Sequence, residues 1–306
     1  MAVSGTVPTE LGDKKIRDLL MQYAVPAIIA MTASSLYNMV DSIFIGHIKD
    51  VGSYAISGLA VTFPLMNIAT ALGTLVGVGA STILSMLLGQ RNYEAANKVL
   101  VNEVMLNIIV GISFTIVTLL FLDPILMFFG ASANTLPYAR DYMVIILIGN
   151  VITHLYFGLN NIIRASGNPK LAMALTIFTV VSNTIMDPIF IFWLDMGIKG
   201  AALATVICQL LALVYTLKYF LSDKNYLHLP RRMSGYKLDW RIAKDSLTIG
   251  MGPFLMNSAA CIVTMFINQQ LSKYGGDLAI GAYGIVNRFT FLFIMINMGL
   301  NQGMQP

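Results

Sequence analysis

The sequence predicts an all-α polytopic membrane protein, and three observations carry that prediction. Of its 306 residues, 57% are hydrophobic and only 11% charged, against about 25% charged in a soluble domain. With a mean hydropathy of +0.73, too few charges remain to wet the surface of a soluble fold. The charge-poor stretches are also long enough to cross a bilayer, which takes ~20 apolar residues. Finally, the basic residues alternate between successive loops, as they do when a chain threads a membrane repeatedly.

Eight spans follow in order. The first, 19–45, has no charge from Leu19 to Val40 and contains Pro26, a residue tolerated as a kink in membrane helices. The second, 54–88, lies in a segment without charge from Val51 to Gln90. That is too long for one upright crossing, so tilt or an extension beyond the hydrocarbon is expected. Its Gly73, Gly77 and Gly79 read as a close-packing face. The third to sixth spans are 97–122, 140–163, 170–194 and 199–221. The seventh, 246–272, contains Pro253, and the eighth, 279–306, contains Arg288. An arginine there either snorkels to the outer surface or pairs inside.

Sidedness comes from Lys and Arg. The N-terminal tail and the second, fourth and sixth loops hold 14 of them, whereas the intervening loops hold four: Lys49, Arg140, Lys199 and Lys273. The basic side is expected to be cytoplasmic, with the N-terminus inside. A net charge of +4 confined to loops does not describe a nucleic-acid surface. Cys208 and Cys261 fall inside spans, so no disulfide framework is implied. Residues 1–18 lack the order of a cleaved leader, and the first span is expected to serve as the targeting signal. The sequence contains no zinc-protease, phosphate-loop, prenyl-diphosphate or serine-hydrolase motif, so no enzyme and no cofactor is expected.

An internal repeat is visible. Arg17, Asp18, Leu20 and Pro26 recur as Lys244, Asp245, Leu247 and Pro253 at one offset of 227, and Gly73 with Gly77 recurs as Gly299 with Gly303. Six spans separate the copies, so both enter from the same side, as in a parallel repeat about the membrane normal. The second copy supplies two helices of six, and the chain reads as a C-terminally truncated piece of a protein of about twelve spans. The expected division is a cytoplasmic segment 1–18, a complete first lobe 19–222, a linker 223–245, and the start of a second lobe 246–306. The faces around Gly299 and Gly303 are then expected to lie against lipid, and residues 1–306 alone are expected not to transport.

Four polar residues share a depth. At ~1.5 Å per residue, Asp41 lies about 33 Å above the cytoplasmic end of its span, Asp187 about 25 Å and Asn183 about 20 Å. Thr205, reached from the other side, lies ~21 Å up in a core ~30 Å thick. Two carboxylates, an amide and a hydroxyl offer hard oxygen ligands for a small cation, or a shared proton site. Each also has a plainer reading. Asp41 is interfacial if its helix ends early, Asp187 is a helix-break device before Pro188, and Thr205 is a packing hydroxyl.

The segments Leu36–Gly46 (LYNMVDSIFIG), Arg164–Lys170 (RASGNPK), Asn183–Phe190 (NTIMDPIF), Gly200–Thr205 (GAALAT) and Asn301–Pro306 (NQGMQP) together resemble the multidrug and toxic compound extrusion (MATE) family across essentially the whole chain. The resemblance implies two six-helix lobes, alternating access, and export of amphipathic, often cationic compounds in exchange for Na⁺ or H⁺. It implies a cation site at Asp41, Asn183, Asp187 and Thr205, with Tyr37 and Asn160 as hydrogen-bonding neighbours and Pro26 as the bend in the first helix. Asn268 stands near the repeat position of Asp41, where no second carboxylate appears. The implied setting is the cell membrane, with drug-like molecules and lipid as partners and a monomeric transporter. The alternative within the same superfamily is a flippase of lipid-linked precursors, whose cavity would need more Arg and Lys.

Overall fold

Every stretch expected to span falls on a helix in the computed structural model, which describes residues 15–48, 51–222, 225–230 and 235–304. Most of the expected segment 1–18, together with Lys49, Lys224, Arg231 and Arg232, lies outside the described residues. The described helices are α1 (Ile16–Gly46), α2 (Gly52–Gly89), α3 (Tyr93–Leu120), α4 (Leu122–Phe128), α5 (Leu136–Ile148), α6 (Asn150–Ala165), α7 (Pro169–Pro188), α8 (Ile198–Phe220) and α9 (Trp240–Met304). Six of them are long and apolar enough to cross a membrane unaided, and α5 with α6 pass the same test as a pair bent by 57°. The chain is a multi-pass membrane protein. Large apolar side chains exposed on these helices, such as Ile116, Leu120, Phe178 and Ile185, are what a lipid-facing surface requires.

Local chemistry explains the helix boundaries. The Asn92 side chain accepts from Ala95 N at 3.1 Å and starts α3, satisfying one of the donors orphaned at a helix N-terminus. After α6 the backbone turns through Gly167 at φ +89°, a left-handed conformation natural to glycine. Pro169 then opens α7, at the position where its missing N–H costs nothing. Asp239 Oδ1 accepts from Arg241 N at 2.9 Å to cap α9.

Two departures from the sequence reading concern breaks within spans. The fourth span is two helices, because the chain bends at Gly149. A side chain there would strike Val206, its Cβ lying 2.4 Å from Cγ2, so the missing Cβ lets α8 approach. The short α4 was not anticipated either. The second span, by contrast, is one continuous helix of 38 residues, about 57 Å long at 1.5 Å per residue.

α9 is two helices in one. Gly276, at φ +69° and ψ −170°, interrupts it, and the chain reverses there. The first limb runs down α2, with Ser246 against Gly79, Gly250 against Leu75 and Cys261 donating to the Pro64 carbonyl at 3.2 Å. The second limb returns past Ser57 and Ala60 of α2 and then follows α1, ending with Gly299 beside Ile28 and Gly303 beside Ala24. This corrects the expectation that the Gly299–Gly303 face meets lipid. A Cβ at these positions would lie 2.6 Å from Ile28 Cα and 2.3 Å from Ala24 Cα. The small residues face α1 because they allow the two backbones to touch.

The two ends of the bundle are held by different contacts. At one end, Asn97 accepts from His228 N at 2.8 Å and the Tyr226 hydroxyl donates to the Ser166 carbonyl, tying the 225–230 segment across α3 and α6. Burial pushes the Tyr226 phenol up to about 12, so it stays a donor. At the other end, Arg140 pairs with Asp123 at 3.4 Å, Lys199 with Asp141 at 3.3 Å, and Ser132 donates to Asp277 at 2.8 Å. The apolar core is divided accordingly. One cluster centres on Leu84, Leu100, Leu159 and Ile162, and another on Ile45, Leu126, Met143 and Ile191.

Candidate functional site

α1 packs along α7, and α8 closes the third side, which brings polar residues from three spans to one depth. The Tyr37 hydroxyl lies 2.7 Å from Thr205 Oγ1, joining α1 to α8. Asn183 faces both Thr205 and Asp187. With its amide nitrogen turned toward the carboxylate, it donates to Asp187 Oδ2 at 2.6 Å and Oδ1 at 3.1 Å. Its oxygen then accepts from Thr205 N at 3.0 Å and Oγ1 at 3.2 Å. The reverse orientation sets acceptor against acceptor, so the network itself selects this one. A continuous polar chain therefore runs Tyr37, Thr205, Asn183, Asp187.

Asp41 stands beside that chain. It is 3% exposed, and its Oδ1 has no hydrogen-bond partner; it lies within electrostatic range of Asp187. A buried carboxyl oxygen without a donor is costly unless a proton or a cation serves it. Ser42, the next residue, is spoken for by Asn38 O at 2.7 Å. The local helix geometry also sets the site apart. Asp187 precedes Pro188, after which the chain continues as a π-helical turn, Ile189–Trp193, a form concentrated at functional sites.

The expected neighbours divide. Tyr37 joins the cluster directly. Asn160 finds its partners elsewhere, donating to Ala172 O at 3.1 Å and accepting from Arg164 at 3.2 Å. Ala172 lies 11 residues before Asn183 on α7, about 16 Å away along the helix axis. Pro26 is buried within α1. Arg288 does not snorkel away: its guanidinium donates to the Asn38 carbonyl and lies in electrostatic range of Asp41. Asn268 is buried at 1% with its Nδ2 unpartnered, and Thr264, one turn earlier, is 8% exposed.

Sequence reasoning missed Tyr142, on α5. It is 2% exposed and within electrostatic range of Asp41, Asp187 and Arg288. Only its position after Asp141, which pairs with the start of α8, hinted at it. Among the described residues no group of three His, Cys, Asp or Glu could hold a metal ion. The donors here suit a hard monovalent cation or a proton instead.

A sequence profile described as MatE matches residues 26–189, more than half of the chain. The chain belongs to the MatE family. The matched region contains Tyr37, Asp41, Asn183 and Asp187 of the cluster, and Thr205 lies beyond it. This MatE chain is 31% identical over 287 residues to the multidrug export protein MepA of Staphylococcus aureus (strain MSSA476), covering 94% of this chain and 62% of the relative. It is 32% identical over 294 residues to MepA of Staphylococcus haemolyticus (strain JCSC1435), covering 96% and 64%. The chain thus spans somewhat under two thirds of the length of these relatives. Among solved structures, a complex of the MATE multidrug transporter DinF-BH superposes with a TM-score of 0.91 at 35% identity, covering 99% of this chain and 67% of that one.

Proposed function

We propose that this chain carries the ion-coupling half of an antiporter that exports amphipathic, often cationic drug-like compounds in exchange for Na⁺ or H⁺. The observation that supports it is the Tyr37–Thr205–Asn183–Asp187 chain, with the buried and unpartnered Asp41 Oδ1 beside it. An entering ion supplies what Asp41 lacks, and its departure restores the cost of leaving that oxygen bare. Drug and ion exclude one another if both need Asp41, which is the linkage that antiport requires. Residues 19–222 form the first lobe, 223–245 the linker and 246–306 the start of a second lobe related by the 227-residue offset. Alternating access then rocks the lobes about the cluster, in the cell membrane with the N-terminus inside. The transporter works as a monomer.

The flippase alternative is not favoured. The relatives are named for multidrug export, and Arg288 is the basic group near Asp41, against the two buried carboxyls of the cluster, Asp41 and Asp187. The test is efflux of a cationic dye from membrane vesicles carrying the gene product that contains this chain, with Na⁺ and pH gradients imposed separately. One gradient should drive efflux, and Asp41→Asn should abolish it at unchanged protein abundance. Normal gradient-driven efflux by a well-expressed Asp41→Asn variant would sink the reading.

A further inference from the structure

A third buried carboxyl lies outside the cluster described above. Glu103 of α3 is 0% exposed, as is Asn107 one turn later, and His154 of α6 is 1% exposed. Asn107 Nδ2 donates to Glu103 Oε1 at 2.6 Å. Glu103 Oε2, Asn107 Oδ1 and both His154 ring nitrogens have no hydrogen-bond partner of standard geometry; the Ala69 backbone is near the ring. Glycines from three helices bring the backbones together around them. A Cβ on Gly158 would lie 1.8 Å from Glu103 Oε1 and 2.5 Å from Asn107 Nδ2. One on Gly77 would lie 3.2 Å from Gly158 Cα, and Cβ atoms on Gly111 and Gly73 would each lie 3.6 Å from the His154 ring.

The charges around this seam leave Glu103 without a counter-ion. α2 has no charge from Val51 to Gln90. On α3 itself, Lys98 is exposed and pairs with Glu94. From α6 come His154 and, beyond Gly158, Arg164, which donates to Asn160. The start of α9 brings Lys244 and Asp245, beside an Ala243 that packs on Val76 and Leu106. No ion pair reaches Glu103 among the described residues. An ionised carboxylate here would be a buried charge with one amide donor, which costs several kcal/mol. The packing is too close at Gly158 to leave a cation room beside Oε1. A proton answers both constraints.

We propose that the α2–α3–α6 seam is a proton site in its own right, in which Glu103 carries a proton on its unpartnered Oε2. The site is separate from Asp41 and Asp187 and does not depend on what those residues bind.

The chain has three glutamates, Glu10, Glu94 and Glu103, so the test can begin without mutation. Infrared spectra of the purified chain in detergent, grown on carboxyl-¹³C glutamate, should show one isotope-shifted protonated carboxyl band at pH 7. That band should vanish in Glu103→Gln and persist in the Asp41→Asn/Asp187→Asn double variant. Because glutamine is a neutral isostere, Glu103→Gln should melt no lower than the parent at pH 7. A labelled signal that is wholly carboxylate at pH 7 would overturn the proposal, and so would a protonated band that survives Glu103→Gln. Should the glutamine variant fail to accumulate, the labelled parent still decides.

Discussion

At the scale of single residues, the site turns on hydroxyl and amide groups as much as on carboxylates. Asp41, Asn183, Asp187 and Thr205 were legible because a polar residue in an apolar span is conspicuous, and simple depth along each helix placed them together. Tyr37→Phe removes the bond to Thr205 and leaves its Oγ1 with Asn183 and Ala201. The expected cost is about 1 kcal/mol, read as a lower melting temperature in detergent. Thr205→Val should cost more, about 1–3 kcal/mol, since Asn183 Oδ1 and Tyr37 both lose a buried partner; a melt unchanged from the parent would contradict the network. Tyr142 and Glu103 were not legible in the same way. Tyr142 is one of 13 tyrosines, and only folding carries α5 to Asp41. Glu103 lies early in its span, where a carboxylate reads as an interfacial charge, until α6 covers it.

At the scale of elements, glycine pairs set the spacing between helices. Gly79 faces Ser246 and Gly250 faces Leu75, and in each case a Cβ would fall within 2 Å of a backbone carbonyl oxygen. Backbone cannot give way as a flexible side chain can, so either glycine to alanine should force the first limb of α9 off α2. Overpacking of this kind costs about 1–3 kcal/mol. The measurement is a cross-linking yield between cysteines at positions 64 and 261, in the Cys208→Ala background; Gly250→Ala should lower it several-fold, and Gly252→Ala, with open space around it, should not. The glycine face of α2 was visible in the sequence, but its division was not. Gly73 and Gly77 turn to α6 while Gly79 turns to α9, a split that depends on where two later helices arrive. The bend at Gly149 was hidden for a related reason, whereas the reversal at Gly276 falls between the expected seventh and eighth spans. Glycine inside an apolar run carries no directional signal, and only the partner helix decides whether the chain continues or turns.

At the scale of the whole molecule, the repeated apolar spans were the most legible feature, because charge is excluded from the hydrocarbon wherever a helix crosses it, and the positive-inside reading gives them an expected sidedness. Single cysteines in a background lacking Cys208 and Cys261 test that layout. Positions 91 and 228 should label from one side of the membrane, and positions 133 and 196 from the other. Labelling of 91 and 133 from the same side would break the proposed threading. Less legible was the docking of α9, since an offset of 227 residues announces a repeat without saying what it touches. Both its limbs lie on α1 and α2, the first helices of the chain. During synthesis, then, the groove that receives α9 leaves the ribosome about 150 residues before its occupant. Until then the small-residue stripes of α1 and α2 have only lipid or the insertion machinery to cover them, and a pause or cleavage between α8 and α9 would strand them there. A quality-control protease that recognises exposed small-residue stripes would find its substrate in that window.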